Sequence, residues 1–237
     1  MKVALLSDIH ANLQALEAVL ADLPSVDDVV CLGDVVGYGG DPKSCLDRVR
    51  SAGWLVLAGN HDRACTDPAA LGWFNDQAAA AVRWTVGVLD DGRLGWLAGL
   101  PEQASHDDML FVHGSPRSPT YEYILDYDTA TANLGLIGGR VCFHGHTHVP
   151  GVFHNQTGQL RHDYEEGFFF LQPPALVNPG SVGQPRDGNP DASYLIWDPE
   201  ADSVEFRRVP YDREAAKKAI LEAGLPARFA YRLDLGS

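Results

Sequence analysis

Val141-Cys142-Phe143-His144-Gly145-His146-Thr147-His148-Val149-Pro150 is a short apolar run that stops at a glycine and is followed by two histidines two positions apart. The run reads as a buried strand. In extended chain, residues two apart point to the same side. His146 and His148 can therefore aim their imidazoles into one space just beyond the strand. A pair of polar residues in an ordinary turn would look the same from this stretch alone. The other apolar runs of the chain, which end in similarly polar residues, separate the two readings.

Upstream, residues 2–6 form an apolar run broken by Ser7-Asp8-Ile9-His10. Leu13, Leu16, Val19, Leu20 and Leu23 then keep a helical period that Pro24 ends. Asp28 to Leu32 reads as a second strand, closed by Gly33-Asp34. A helix from Pro42 to Arg50 leads to a third strand, Trp54 to Ala58, closed by Gly59-Asn60-His61-Asp62. Strands alternating with helices argue for a largely parallel α/β sheet, whose sites form beyond the carboxyl ends of the strands. Asp8, His10, Asp34, Asn60 and His61 all fall there.

Residues 66–100 read as mainly helical, with packing as their role. Met109 to Val112 is a further strand, ending in His113-Gly114-Ser115. The loop from Ser115 to Tyr123, with two prolines, Arg117 and two tyrosines, is expected to form one wall of a cleft, and a helix follows from Asp126 to Ile137. After the opening stretch, Val152 to His154, Leu160 to Asp163 and Phe168 to Leu171 read as antiparallel strands, with turns at Asn155 to Gly158 and Glu165 to Gly167. Ala175 to Val177 runs into Asn178-Pro179-Gly180-Ser181. Tyr194 to Trp197 and Ser203 to Val209 form a hairpin, and a last helix runs from Asp212 to about Ala223. No repeat or linker divides the chain. One domain is expected over 1–237, with parallel β-α units roughly over 1–148 and antiparallel strands and a C-terminal helix over 149–237.

Composition bounds the function. With 237 residues, 45% hydrophobic and 21% charged, the chain has the make-up of an ordinary globule. A net charge of −14 argues against non-specific binding of nucleic acid or of anionic membrane. Bound divalent cations would offset that charge locally, so an anionic substrate is compatible with it. Cys31, Cys45, Cys65 and Cys142 show no Cys-x-x-Cys spacing and read as reduced, packed residues. No run approaches the roughly 18 apolar residues of a membrane span, and Lys2 is followed by too short an apolar run for a secretory leader. A soluble cytoplasmic protein is expected; its oligomeric state stays open.

Taken in order, Asp8-x-His10, Gly33-Asp34, Gly59-Asn60-His61-Asp62, His113 and Gly145-His146-x-His148 closely resemble the motifs of the calcineurin-like metallophosphoesterase superfamily, over roughly residues 1–185. The resemblance implies an α/β fold: a four-layer α/β/β/α sandwich of two mixed sheets flanked by helices, with a binuclear metal site at the sheet edge. It implies one metal held by Asp8, His10 and His148, a second held by Asn60, His113 and His146, and the Asp34 carboxylate bridging both. Oxygen and imidazole donors without thiolate suit two divalent ions such as Mn, Fe or Zn. Two such ions roughly 3.5–4 Å apart can share a water and clamp both oxygens of an in-line displacement. The glycines before Asp34, Asn60 and His146 are expected to let the backbone turn sharply.

The implied function is a phosphoester hydrolase in which a hydroxide bridging the metals attacks phosphorus. The implied substrate is a small or nucleotide-like molecule, with phosphodiesters ahead of monoesters. The alternatives are a dinucleotide polyphosphate hydrolase cleaving a pyrophosphate bond, and a non-catalytic metal-binding scaffold of the same fold. By resemblance His61 protonates the leaving oxygen or stabilises phosphoryl charge; an ordinary loop histidine would look the same. Asp62 either orients His61 or caps the following helix, and Asn12 either touches phosphate or is an N-cap. Arg117 and Arg186 are candidates for binding substrate phosphate. His144 adjoins the site without a ligand position, and His106, His154 and His162 are expected at the surface. The segment Asn178 to Asp187 also resembles small bacterial and archaeal members. One departure matters: protein serine/threonine phosphatases of this superfamily carry Gly-Asp-x-x-Asp-Arg-Gly, where this chain has Gly33-Asp34-Val35-Val36-Gly37-Tyr38-Gly39. Gly37 stands where an aspartate would pair with the catalytic histidine, Tyr38 where an arginine would bind phosphate, and the third motif ends in Asp62 rather than Glu. The match is better to small prokaryotic phosphodiesterases, phosphatases and dinucleotide polyphosphate hydrolases.

Overall fold

A computed structural model describes residues 1–155 and 160–237; apart from Asn155, the turn expected over Asn155 to Gly158 lies outside the described residues. In chain order the elements are β1 (Val3–Leu6), α1 (Leu13–Asp22), β2 (Asp28–Cys31), α2 (Pro42–Ser51), β3 (Leu55–Val56), α3 (Asn60–Ala64), a 3-10 turn (Pro68–Trp73), α4 (Asp76–Val88) and α5 (Asp91–Ala98). Then come β4 (Gln103–His106), β5 (Met109–Val112), α6 (Tyr127–Ile137), β6 (Val141–Phe143), β7 (Gly151–His154), β8 (Arg161–Asp163), β9 (Gly167–Phe170) and β10 (Ala175–Asn178). The chain ends with β11 (Ala192–Asp198), β12 (Ser203–Val209), α7 (Arg213–Glu222) and α8 (Ala227–Leu235).

The apolar runs are continuous rather than alternating because the strands are buried on both faces. In β1, Val3 and Leu5 point to one side and Ala4 and Leu6 to the other, and all four are buried. Val3 and Leu5 join Phe111, Val141, Phe143, Val177 and Leu195 in a core between two sheets. Ala4 and Leu6 join Leu16, Val19, Leu46 and Val49 of α1 and α2 in a second core. On the far side, Cys142 and Leu176 pack with Ala130 and Ile137 of α6. The result is four layers: helices, a sheet ordered β3-β2-β1-β11-β12-β9, a sheet ordered β4-β5-β6-β10-β7-β8, and helix again. Each fully buried Leu or Phe contributes about 1.5–3 kcal/mol, so both faces of both sheets stabilise the fold.

Both sheets are mixed. β1 runs parallel to β2 and antiparallel to β11; β10 runs parallel to β6 and antiparallel to β7. The expected division into a parallel first half and an antiparallel second half is therefore too simple. β4 pairs antiparallel with β5 in the first half, and β10 is a parallel strand in the second. The expected β8–β9 turn is also corrected: β8 pairs with β7 in one sheet while β9 pairs with β12 in the other, so Glu165 to Gly167 crosses between sheets. Phe169 packs on the inter-sheet core from that edge while Phe168 and Phe170 face outward. Helix α8, beyond the expected end of the last helix, packs Phe229, Ala230 and Leu233 against Ala216 and Ile220 of α7. No helix among the described residues is long and apolar enough to cross a membrane.

Within each sheet the parallel neighbours (β1 with β2 and β3, β5 with β6 and β10) bring their carboxyl ends to one edge. Asp8, His10, Asp34, Asn60, His113 and His146 follow those ends, and Asn178 is the last residue of β10.

Candidate metal centre

Asp8, His10, Asp34, Asn60, His113, His146 and His148 converge at this edge and are all buried. Five of them sit in the left-handed region without being glycine: φ is 55° at Asp8, 48° at His10, 55° at Asp34, 68° at His146 and 61° at His148. Such backbone persists only where the surroundings over-determine it. Asp8 N–H donates to the Gly33 carbonyl (3.0 Å), His10 N–H to the Asp34 carbonyl (2.9 Å), and His146 N–H to Asp8 Oδ2 (3.1 Å). The loops that carry the ligands hold one another in place.

Close approach, more than turning, accounts for the glycines. Gly33 has φ of 106°, as a sharp turn requires, but Gly59 has φ of −82° and is not a left-handed residue. A Cβ at Gly59 would overlap the Asp34 carboxylate, and one at Gly145 would overlap Ser7 Oγ.

The donor atoms fall into two sets that share one oxygen. In the first, Asp8 Oδ1 lies 3.2 Å from His148 Nε2 and 3.7 Å from His10 Nε2, and the two imidazole nitrogens are 3.1 Å apart. In the second, His113 Nε2 lies 3.2 Å from Asn60 Oδ1 and 3.1 Å from His146 Nδ1. Asp34 Oδ2 is 3.6 Å from His10 Nε2 and 3.5 Å from His113 Nε2, one nitrogen of each set. Its other oxygen, Oδ1, accepts the His61 backbone N–H at 2.8 Å.

Carbonyl partners fix which nitrogen of each histidine carries hydrogen, because a carbonyl can only accept. His10 Nδ1–H donates to Val36 O (3.1 Å), His113 Nδ1–H to Leu32 O (3.0 Å), His148 Nδ1–H to Gln184 O (2.6 Å) and His146 Nε2–H to Tyr121 O (3.2 Å). The inward nitrogens of His10 and His148 are thereby left with lone pairs facing each other at 3.1 Å, which is repulsive unless a cation lies between them. Asp8 Oδ1, buried, has no hydrogen-bond partner among the described residues. Burial alone would raise the carboxyl pKa of Asp8 and Asp34, yet the neighbouring histidines hold both below the usual carboxylate range. Burial pushes His10, His146 and His148 down, His146 to about 3. Against the same burial, the Asp34 carboxylate raises His113 to about 9. Two buried carboxylates, an amide oxygen, the neutral imidazoles of His10, His146 and His148, and a His113 that can give up its proton to a cation form a cavity whose chemistry fits divalent cations.

His61 lies beside this cluster, with one ring nitrogen within 4.8 Å of donor atoms of His10 and Asp34. Its ring is wedged edge-on to His10 and Phe74, at 4.9 and 4.7 Å between centroids. Nδ1 is buried without a hydrogen-bond partner among the described residues, and a Cβ at Gly37 would collide with it. The glycine that stands in place of a carboxylate thus leaves room for the ring and nothing more. Burial lowers His61 to about 4 despite the attraction of Asp34.

Asp62 does not face His61. Its carboxylate accepts the backbone N–H groups of Asp34 (2.8 Å), Gly59 (3.0 Å), Val36 (3.2 Å) and Val35 (3.3 Å). It clamps the Asp34 loop to the start of α3; burial and the Asp34 charge push it up to about 7. Asn12 is the N-cap of α1: Oδ1 accepts from Ala15 N (3.1 Å) and Nδ2 donates to Gly183 O (2.9 Å). Arg117 pairs with Glu122, and no contact among the described residues joins it to the cluster. Arg186 is near: its N–H donates to His148 O (3.2 Å), its guanidinium lies 5.9 Å from the centre of the Tyr38 ring, and its Nε is buried without a partner among the described residues.

Several neighbours were not legible beforehand. Asn178 Nδ2 donates to Gly145 O (2.8 Å), Thr147 Oγ1 (3.0 Å) and His144 Nδ1 (3.3 Å), tying the two-histidine turn to β10. Tyr123 stacks on His146, with centroids 3.7 Å apart. Phe74, from the stretch expected only to pack, touches His61. His106 and His162 are exposed as expected, but His154 is buried and bonded to Asp163 (2.8 Å), because β8 covers it.

Comparison with known proteins agrees with this geometry. The calcineurin-like phosphoesterase superfamily domain matches residues 1–202. An uncharacterised protein of Methanocaldococcus jannaschii is 38% identical over 244 residues, covering 99% of this chain and 98% of its own. The crystal structure of a metallophosphoesterase from Sphaerobacter thermophilus superposes over the whole of both chains with a TM-score of 0.89 and 39% identity. A hypothetical protein of Pyrococcus horikoshii shares the fold at 20% identity, with a TM-score of 0.82 over 100% of this chain and 98% of its own. By the family match and this identity, the chain belongs to the calcineurin-like phosphoesterase superfamily.

Proposed function

We propose that the protein is a phosphoester hydrolase working with two divalent cations, Mn, Fe or Zn, on a small or nucleotide-like substrate, with phosphodiesters ahead of monoesters and pyrophosphate bonds. Asp8, His10 and His148 would hold one cation, Asn60, His113 and His146 the other, and Asp34 would bridge them. The observation that carries the reading is Asp34 Oδ2, at 3.6 and 3.5 Å from one imidazole nitrogen of each set. When bound, such ions lower the pKa of a water and neutralise charge on the phosphoryl group.

The chain's own residues then do the following. His61, lowered to about 4, is neutral at pH 7, so it donates a hydrogen bond from N–H to the phosphoryl group rather than delivering a full proton to the leaving oxygen. Arg186 supplies a fixed positive charge beside His61 and His148 for a phosphate oxygen. Asp62 is a positioning residue that holds the Asp34 loop against α3. The test is hydrolysis of p-nitrophenyl phosphate and bis-p-nitrophenyl phosphate by metal-stripped protein, with and without Mn²⁺. Turnover restored by metal supports the reading, and the preferred ester separates diesterase from monoesterase. Two metals bound with no turnover of any phosphoester or pyrophosphate substrate would leave the scaffold alternative in its place.

A further inference from the structure

We propose that an aromatic rim built on Trp73, Tyr121 and Tyr123 is a stacking platform for a nucleobase, so that the substrate is a nucleoside phosphoester. The inference rests on the phosphoester reading of the metal centre and names its substrate class.

Trp73 ends the 3-10 turn after α3 and is 78% exposed, yet it is stacked on the Tyr121 ring at 5.8 Å and an interplanar angle of 26°. Most of the indole is left to solvent. Its position is fixed from both sides. The next residue, Phe74, sets its ring at 90° to His61 and packs into the helix-side core. Tyr121 accepts the His146 Nε2–H through its carbonyl. The Trp73–Tyr121 pair therefore joins the wall that carries His61 to the wall that carries His146. Two residues on, Tyr123 lies flat on the His146 ring, 20° from parallel, with 44% of its surface exposed. Tyr123 is covered by His146 on one side and, like Trp73, keeps part of its ring in solvent.

Aromatic rings beside a polar site offer apolar, stackable area to a ligand. These are held in place by stacking, and one lies directly on a candidate metal ligand, where the non-reacting part of a phosphoester would extend. Planar faces without a matched set of hydrogen-bond groups suit a nucleobase of any sequence, because every base has a π-face. The phosphate itself would be met by Arg186 and the metal centre, so base and phosphate have separate holders on one rim.

The experiment compares two diesters with the same leaving group, thymidine 5′-(4-nitrophenyl phosphate) and methyl 4-nitrophenyl phosphate, on wild type, Trp73→Ala and Trp73→Phe with metal added. Wild type is expected to favour the nucleoside ester in KM. Trp73→Ala should reduce that preference about 5- to 150-fold, the range that loss of a stacking ring spans, and Trp73→Phe should restore most of it. Because Trp73 is exposed, neither variant threatens the fold. A second readout needs no turnover: AMP, but not ribose 5-phosphate, should quench tryptophan fluorescence of the zinc-loaded protein, and Trp73→Phe should remove that difference. An unchanged KM preference in Trp73→Ala together with no AMP-specific quenching overturns the proposal. If neither ester is hydrolysed but AMP still quenches through Trp73, the diesterase reading fails while the platform stands as a nucleotide site.

Discussion

Replacing Asp62 separates two roles that its neighbour His61 makes easy to confuse. The Asp62 carboxylate is fully buried and accepts four backbone N–H groups, from Asp34, Val35, Val36 and Gly59, at 2.8 to 3.3 Å. A hydrogen bond to a charged group contributes about 1.5–3 kcal/mol net, and a buried donor left unsatisfied costs about 1–3 kcal/mol. Four such bonds would give about 6–12 kcal/mol. Burial of the carboxylate offsets part of this, as its rise to about 7 attests, and water entering the vacated space recovers more. Asp62→Ala is then expected to destabilise by about 4 kcal/mol, a large share of the roughly 5–15 kcal/mol that domains have, and to lower Tm by about 8–16 °C. Asp62→Asn keeps an acceptor but turns an NH₂ toward the same donors, so it should fall close to Ala. The assay is urea unfolding followed by circular dichroism in chelator, so that metal binding does not contribute, with kcat measured separately at saturating Mn²⁺. Loss of under about 1 kcal/mol together with a hundredfold drop in kcat would refute the reasoning, because Asp62 would then be acting on His61 rather than on the chain.

Other perturbations bear on the same centre. His61→Ala should keep both metals by elemental analysis while kcat falls about 10²- to 10³-fold, the loss of one hydrogen-bond donor; metal loss would remove its proposed role. Asp34→Ala should lose metal and turnover together, and near-normal activity would sink the shared-oxygen arrangement. Mn²⁺ affinity should depend on pH with a definite sign. His113, raised to about 9, is protonated in the metal-free protein below that pH and must shed its proton to become a ligand. Affinity should thus rise by about tenfold per pH unit from pH 7 to 9 and flatten above, and a titration series flat over that window would count against it.

The residues that converge at the candidate metal centre were readable in the sequence because each is a local event, a polar side chain closing an apolar run. The layered α/β arrangement followed from the same runs, since strands apolar at every position need cover on both faces. What could not be read is partner choice between distant segments. Phe168 to Phe170 alternates equally well beside β8 or β12, and only the packing of Phe169 on the inter-sheet core decides for β12. β10 inserts between β6 and β7, which are neighbours in sequence, and nothing local marks that insertion. Nothing local marks His154 as buried, and Asp62 beside His61 in sequence suggested a pairing that the α3 backbone turns away from. Trp73 and Phe74 sit in a stretch with no chemistry of its own, and their place beside the site comes from the stack on Tyr121 and the contact with His61.

The left-handed backbone at Asp8, His10, Asp34, His146 and His148 has an evolutionary consequence. At about 1–3 kcal/mol for each such residue, these five positions work against folding by about 5–15 kcal/mol in total. A glycine at any of them would relieve that strain and remove a metal donor in the same step. On the proposed reading, His10, His146 and His148 are kept for turnover at a cost in backbone strain, whereas Asp8 and Asp34 also accept buried backbone N–H groups that a glycine would leave unpaired. A library screened for thermal tolerance alone, with activity ignored, should lose the metal centre before it loses the sheets.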